Sequence, residues 1–459
     1  MSTRKKPLST GSEWTMDQLI DYDKAIGQLA RDFRLDTYPN QIEIITAEQM
    51  MDAYATVGMP IGYHHWSFGK HFMNVEKNYR RGQMGLAYEM VINSNPCISY
   101  LLEENSIALQ ALVIAHACYG HNSFFKNNYL FKMWTDAEAI IDYLVFARQY
   151  IAECEQRYGI DAVENLLDAC HALKDQGVDK YKHPARLSLQ EEKIRQQNRA
   201  IYLQSQVNEL WRTIPPHLGQ IPQEANKVFP EEPQENILYF LEKNAPLLEP
   251  WQREVIRIVR KIAQYFYPQS QTKIMNEGWA TFWHYTLIQA LYDQGLVTDE
   301  FMLEVLQTHT NVLTQPAYDQ RSFQGTNPYA LGYKIYGDIR RICENPSEED
   351  CLWFPHLAHT DWLSSIDVSM RNFKDESFIE QYLSPRLIRE FKFVQLVDVA
   401  EKDYLEVRAI HDEDGYRDIR AALSRQYNRG IIQPDLQIQS VDIKGDRALT
   451  LQYIQRQGV

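Results

Sequence analysis

The sequence contains no continuous hydrophobic run of membrane-spanning length. A transmembrane helix needs about 20 consecutive apolar residues, and polar residues interrupt every apolar stretch of this 459-residue chain well before that length. The N-terminal residues include Arg4, Lys5 and Lys6, but Glu13 and Asp17 follow where a signal peptide would have its apolar core. We therefore predict a cytoplasmic protein that is not inserted in a membrane.

Positive charge is also scarce. Lys and Arg number 47 against 61 Asp and Glu, so the formal net charge is -14. A general nucleic-acid binder needs a basic surface to neutralise phosphates, and adsorption to anionic lipid needs the same. The charge balance therefore disfavours nucleic acid and membrane surfaces as partners.

Cysteines are few and irregularly spaced, and several common catalytic motifs are missing. The six cysteines form no C-x-x-C pair, so we expect them to be small buried hydrophobic side chains of a reducing compartment. The chain has no GxGxxG, P-loop or GxSxG segment, so we expect no nucleotide cofactor. It has no HExxH, and none of its 13 histidines has a Glu three residues before it, which excludes the Glu-x-x-His signature of di-iron bundles.

Hydrophobic residues recur at helical spacing along most of the chain. The first predicted helix, at residues 12–35, has Thr15 and Gln18 in position for a capping box. Between residues 184 and 250, eight of the 19 prolines and several Gln-rich or acidic stretches indicate an exposed helix at about 188–212 and then an irregular connection. Further helices are predicted at about 99–115, 136–156, 161–175, 236–245, 250–267, 273–295, 298–313 and 328–343.

The pattern changes after about residue 370, where alternation at period two begins. The predicted order is strand, strand, helix, strand, strand, at residues 391–399, 404–410, 413–428, 435–443 and 446–454. The fold class is therefore predicted to be mainly α, with a large helical domain at residues 12–368. A small C-terminal α+β module of ββαββ order is predicted at residues 370–459.

Four blocks rich in polar and aromatic residues interrupt the ordinary helical sequence. They are HHWSFGKHF (64–72), HACYGHNSFFKNN (116–128), MNEGWATFWHY (275–285) and NPYALGYKIYGDIRR (327–341). Together they resemble the hallmark segments of the SpoVR (stage V sporulation protein R) family, over essentially the whole chain. The resemblance implies a role in spore cortex or cell-envelope assembly, and a PrkA-type serine kinase or proteins of the same operon as partners. It does not imply a particular activity.

The order of the blocks also resembles that of gluzincin-like metallopeptidases, in which two histidines and a downstream Glu hold zinc. That resemblance implies a groove with His116, His121 and Glu277 as the ligands, and a His₂Glu set leaves a fourth position for water. The alternatives for the two histidines are a polar groove without metal or hydrogen-bonded core residues. Glu277 is alternatively a buried carboxylate paired with an Arg or Lys.

Two features depart from the gluzincin pattern. The histidines are five residues apart, and on an α-helix this separates them by about 140°. Both can reach one ion only if the helix ends or bulges near Gly120. In addition, Ala117 follows His116, so the usual general base is missing and must come from another carboxylate, for instance Glu89, Glu103 or Glu104.

The remaining candidates come from the same blocks. His284, seven residues after Glu277, shares its helix face about 10 Å along the axis, so we expect it one level away from the ion. His284 and Tyr333 are predicted to stabilise an oxyanion. His64, His65, Lys126, Asn127 and Asn128 are predicted to bind substrate, although loop packing, capping and turns are alternative roles.

Two functional hypotheses follow. The first is a cell-envelope or spore-cortex factor that hydrolyses a peptide or amide bond with a metal ion, zinc by analogy. The second is a non-catalytic regulator that binds a PrkA-type kinase through a degenerate protease-like groove, which Ala117 favours. A stress-response scaffold without a ligand ranks last, because it leaves the four blocks unexplained.

Overall fold

The protein is mainly helical, as predicted. The computed structural model describes residues 6–56, 61–80, 89–180, 194, 229–230, 233–316, 320, 325–398, 405–428, 435–442, 446 and 448–455. Within these residues the helices are accompanied by three small sheets. The described part of the chain contains no helix that is both long and apolar enough to cross a membrane.

The N-terminal half combines short helices with a three-stranded sheet. Thr15 caps the first helix in the predicted capping box with Gln18. In the sheet, β3 lies between a parallel β1 and an antiparallel β2. The elements are α1 (Met16–Asp32), β1 (Asn40–Ile45), α2 (Ala47–Ala55), α3 (Trp66–Arg80), β2 (Glu89–Ile92), β3 (Cys97–Leu102), α4 (Ile107–Val113), a π-helix (Ile114–His121), α5 (Asn122–Asn127), α6 (Tyr129–Trp134), α7 (Ile140–Tyr158), α8 (Ile160–Ala172) and a 3₁₀ turn (Lys174–Gln176).

The second half is helical up to residue 390. Its elements are α9 (Ile237–Asn244), α10 (Pro250–Gln271), α11 (Lys273–Asp293), α12 (Asp299–Val312), α13 (Pro328–Glu344), α14 (Glu348–Trp353), α15 (Trp362–Asn372), α16 (Asp375–Tyr382) and α17 (Pro385–Glu390). These bounds lie close to the predicted helices wherever both exist. The helix predicted at 188–212 and most of the irregular connection lie outside the described residues.

The C-terminal elements follow the predicted order but form two separate hairpins. They are β4 (Gln395–Asp398), β5 (Leu405–Ala409), α18 (Glu413–Tyr427), β6 (Asp435–Val441) and β7 (Leu449–Ile454). The β4–β5 and β6–β7 pairs are antiparallel and share no sheet. Tyr416, Ile419 and Leu423 of α18 belong to the main hydrophobic core, so the described residues do not show a separate α+β module.

Helix α11 forms the centre of the core. Its side chains are buried on nearly all sides, including Trp279 and Trp283 at 1% exposure each, as expected of a helix enclosed by others. It packs against α13 at a contact between Gly278 and Gly332: a Cβ added at Gly332 would lie 2.1 Å from the carbonyl oxygen of Ile274 and 2.7 Å from Cα of Gly278. Any side chain here would force the two helices apart.

This contact predicts that Gly332→Ala destabilises the protein by about 3 kcal/mol or more, since the new methyl group meets backbone atoms that cannot rotate away. Gly337→Ala in the same helix is the matched control, because a Cβ there meets no atom within 4 Å. The control should be neutral or stabilising by up to about 1 kcal/mol through helix propensity. Urea unfolding measures both, and equal stability of the two variants would contradict the prediction.

Candidate metal centre

The two histidines of the second block lie on a π-helix, Ile114–His121, which continues α4 and leads directly into α5. Hydrogen bonds in a π-helix join residues five apart, so that side chains at this spacing stand above one another. The imidazole rings of His116 and His121 are accordingly 4.6 Å apart between centroids and perpendicular, at 89°. The distortion that the five-residue spacing requires is therefore a wider helical turn over the whole segment, rather than a helix end at Gly120.

Gly120 allows α11 to approach this π-helix closely. A Cβ added at Gly120 would lie 2.6 Å from Cα and 2.8 Å from Cβ of Ala280. This close crossing carries Glu277, three residues before Ala280, to the two histidines. Glu89 arrives from another direction, as the first residue of the edge strand β2.

Two imidazoles and two carboxylates lie close together. Nε2 of His121 lies 3.6 Å and Nε2 of His116 3.8 Å from Oε2 of Glu277. Nε2 of His116 lies 3.6 Å from Oε1 of Glu89. One ligand atom each of Glu89, His116 and His121 lies within 4.8 Å of the others. The structure thus brings together all three predicted metal ligands and one of the carboxylates considered as a replacement base.

These distances fit a metal ion better than direct hydrogen bonds. Ligand atoms about 2.0–2.2 Å from a tetrahedral ion lie about 3.3–3.6 Å from one another, whereas an N–H···O hydrogen bond spans about 2.9 Å. Oε2 of Glu277 is buried and makes no hydrogen bond within the described part of the chain. A buried carboxylate oxygen without a donor is costly, and a cation held between these four groups would satisfy it.

The charge states of these groups also suit a cation. Burial alone would raise the pKa of Glu277, but the neighbouring His121 and His116 lower it overall. Burial lowers the pKa of His121 to about 4, so its ring is neutral at neutral pH and free to act as a ligand. Burial opposes the charged form of His116, yet Glu277 and Glu89 raise its pKa overall. Burial raises the pKa of Glu89, and Glu277 adds to that rise while His116 opposes it.

A second layer of hydrogen bonds orients both imidazoles. Nδ1 of His121 donates to Oδ1 of Asn276 at 2.9 Å, which turns Nε2 toward the shared point. Nδ1 of His116 lies 2.9 Å from Nδ1 of His284, and Nε2 of His284 lies 2.8 Å from Nδ1 of His309. With Nε2 of His116 free to bind an ion, His116 donates to His284 and His284 donates to His309. Metal ligands are commonly oriented in this way.

His284 and His309, the two outer members of this row of histidines, are neutral. Burial, followed by the proximity of His116, lowers the pKa of His284 well below its usual value and that of His309 to about 4. Tyr333 stacks edge-on against His309 at 5.0 Å between centroids. His284 therefore contacts the candidate ligand His116 from behind, as expected. Tyr333 lies at the far end of the row of histidines, next to His309. Their predicted oxyanion roles stay predictions.

Tyr329 is a residue of the centre that the sequence did not single out. Its side chain lies next to the Glu277 carboxylate, and the charge of Glu277, together with burial, raises the pKa of Tyr329. It belongs to the fourth block, one helical turn before Tyr333. The sequence signal was its position in that block, because a helix presents both tyrosines on the same side.

Two other predicted residues lie outside this centre. His64 is exposed. His65 is buried in a separate cluster, where its Nε2 lies 3.2 Å from Oε2 of Glu164 and 3.2 Å from Oδ1 of Asp168. The first block thus belongs to a different part of the molecule.

The polar end of the second block makes bonds that hold the fold. Lys126 pairs with Asp36 at 2.5 Å. The side-chain amide of Asn127 donates to backbone carbonyls of residues 36 and 123, and that of Asn128 to those of residues 370 and 373. Asn128 also caps α6. Their predicted substrate-binding role stays a prediction, alongside these structural bonds.

Comparison with known proteins places the whole chain in one family. A family model described as "SpoVR like protein" matches residues 13–432. The chain is also 62% identical to a protein named "Uncharacterized protein YcgB" from Escherichia coli (strain K12) over 447 residues, which cover 97% of this chain and 88% of the relative. No solved structure matches. The chain therefore belongs to the SpoVR-like protein family.

Proposed function

We propose that this protein is a metal-dependent hydrolase of peptide or amide bonds, with zinc held by His116, His121 and Glu277. The observation that carries the proposal is the convergence of these three side chains, at ion-compatible distances, inside a buried π-helix crossing. Two imidazoles and one carboxylate form a common catalytic zinc set that leaves a position for water or substrate. A bound ion would polarise a carbonyl group and lower the pKa of a coordinated water.

Glu89 supplies the general base in this proposal. Ala117 is fully buried and apolar where the gluzincin pattern has its catalytic Glu, so a carboxylate must arrive from outside the helix. The Glu89 carboxylate lies 3.6 Å from Nε2 of His116, and its raised pKa brings it nearer to the range in which carboxylates exchange protons at neutral pH.

Tyr329 and the second layer complete the set of roles. The Tyr329 hydroxyl, next to Glu277, is a neutral donor for the developing charge on a carbonyl oxygen. It is closer to the ligands than Tyr333, which contacts His309 instead. His284 and Asn276 orient the ligand imidazoles and so act as positioning residues.

The cellular setting follows from the family resemblance. We propose the peptide part of peptidoglycan, or a precursor of it, as the substrate class, in spore cortex or cell-envelope assembly or under stress. Membership of the SpoVR-like family supports this setting.

A non-catalytic regulator of a PrkA-type kinase is the second candidate, supported by Ala117 at the usual position of the base. Complementation of a deletion strain distinguishes the regulator from the enzyme. If a His116→Ala, Glu277→Ala double variant still binds the kinase and restores function to a deletion strain, the regulator is favoured. Loss of function with retained kinase binding favours the enzyme.

We expect purified protein to bind one zinc ion, and its free energy of unfolding to rise by about 2.7 kcal/mol when free zinc is 100 times the dissociation constant. Metal analysis and thermal melting measure the two effects. His121→Ala should abolish both, whereas His64→Ala, at an exposed position, should leave both unchanged. Protein that contains no zinc and melts at the same temperature with and without added zinc would remove the metal from the proposal.

We expect His284→Ala to weaken zinc binding by about 10- to 100-fold, because His116 loses the acceptor that fixes its ring. His284→Asn should recover part of the loss, since its amide oxygen can accept the same hydrogen bond. Competition with a chelator of known affinity measures both variants. Unchanged affinity in a folded His284→Ala protein would show that the histidine chain does not orient the ligand.

The variant Glu89→Gln distinguishes two possible roles of Glu89, general base and fourth metal ligand. As a base, its loss should lower turnover of a peptide library, followed by mass spectrometry, by about 100-fold or more, with the zinc content unchanged. Glu104→Gln is the matched control, because this carboxylate is exposed. A variant that loses its zinc would instead assign Glu89 to the ligand set.

A further inference from the structure

The first polar-aromatic block lines a cavity of its own. Ser67, Phe68 and His71 of this block, and Tyr63 directly before it, face a cavity of about 430 Å³. Neither the four converging ligand residues nor Tyr329 is among the residues that line it. A volume of this size is in the range of small-molecule pockets, and it is distinct from the candidate metal centre.

The walls of this cavity are largely apolar. Helix α10 supplies the largest share of them, α3 faces it with Ser67, Phe68 and His71, α7 adds Leu144, and the chain just after the 3₁₀ turn adds Val178. The aliphatic and aromatic wall residues include Leu144, Val178, Val259, Ile262 and Phe266. Such walls favour an apolar body, which gains about 25 cal/mol for each Å² removed from water.

The polar residues of the lining include a hydrogen-bonded pair, Tyr63 and His171. The Tyr63 hydroxyl lies 2.5 Å from Nε2 of His171. Burial lowers the pKa of His171 to about 4, with His65 and Lys174 adding to the effect. The ring is therefore neutral, and its Nε2 accepts a hydrogen bond from the Tyr63 hydroxyl. His65 packs edge-on against His171 at 4.4 Å between centroids. The pair therefore adds no charge to the cavity.

The charged side chains of the lining come from one segment. Among the described residues they are Lys174, Asp175 and Lys180, whose charges sum to +1 in a chain whose net charge is -14. Lys180 lies 3.6 Å from Asp435, whereas Lys174 is exposed and makes no ion pair within the described residues. The polar side of the cavity thus offers an ammonium group that an anion can reach.

We propose that this cavity binds a small amphiphile with an apolar tail and one carboxylate, of the fatty-acid class. The tail lies between α3 and α10, and the carboxylate faces Lys174. This site does not depend on the zinc-hydrolase proposal, because none of the proposed ligands takes part. Failure of one therefore leaves the other intact.

Decanoate and decanol, titrated by calorimetry into the full-length protein, test the two halves of the inference. We expect both to bind. Ala263→Phe, which places a ring in the cavity, should weaken both at least 10-fold. Lys174→Gln should weaken decanoate about 2- to 5-fold, the range for an exposed ion pair, and leave decanol unchanged. Lys132→Gln, an exposed lysine that does not line the cavity, is the control and should change neither.

Two results would overturn the proposal: decanoate binding that Ala263→Phe does not change, or the absence of binding by the wild type. If decanol binds as tightly as decanoate in every variant, the carboxylate is no longer part of the proposed ligand. A decanoate analogue carrying a diazirine tests the site without any variant. Photolysis should label residues that line the cavity, above all those of α10, and labelling confined to residues outside the lining would contradict the proposal.

Discussion

The candidate centre depends on one backbone feature, the π-helical hydrogen bonding of residues 114–121. An α-helix would direct His116 and His121 to different sides, and only one of them would meet Glu277. A π-helical turn is less favourable than an α-helical one and persists where the surroundings enforce it. Here the surroundings are α11, which crosses at Gly120, and Glu277 of the same helix, whose Oε2 lies 3.8 Å and 3.6 Å from Nε2 of His116 and His121. The helix geometry and the candidate site therefore require one another.

The second constraint is burial. The converging histidines and carboxylates lie among buried residues, several of which are apolar, such as Ala115, Ala117 and Cys118 at 0% exposure. Charged groups are expensive in such a shell unless they are paired or hold a metal. The row of histidines from His116 to His309 avoids this cost, because neutral imidazoles satisfy one another's hydrogen-bonding groups without any charge. One row of hydrogen-bonded imidazoles therefore extends through the core from the candidate centre.

Much of the fold could be predicted from the sequence, because it rests on local patterns. Thr15 and Gln18 indicate the first helix by themselves, and the all-round apolar character of residues 99–115 indicates burial. The single helix predicted there was wrong at its start, because residues 99–102 belong to strand β3. The three residues proposed as ligands could be named from the order of the blocks, and the structure places them close together. The π-helix itself could not, since it depends on the crossing with Ala280, which no local pattern encodes. Glu89 appeared only as one of several carboxylates, because a strand edge far along the chain brings it to the site. The separation of His65 from the centre likewise depends on packing against α8.

The π-helix also bears on how such sites are recognised. Searches for helical metal sites look for ligands three or four positions apart, because those spacings place side chains on one face of an ordinary helix. A π-helix has a wider turn, so that two histidines five positions apart lie on one face. One inserted residue is enough to convert one geometry into the other. Apolar helices with this longer interval, crossed by a second helix at a small residue, therefore form a class of centres that the usual signatures pass over.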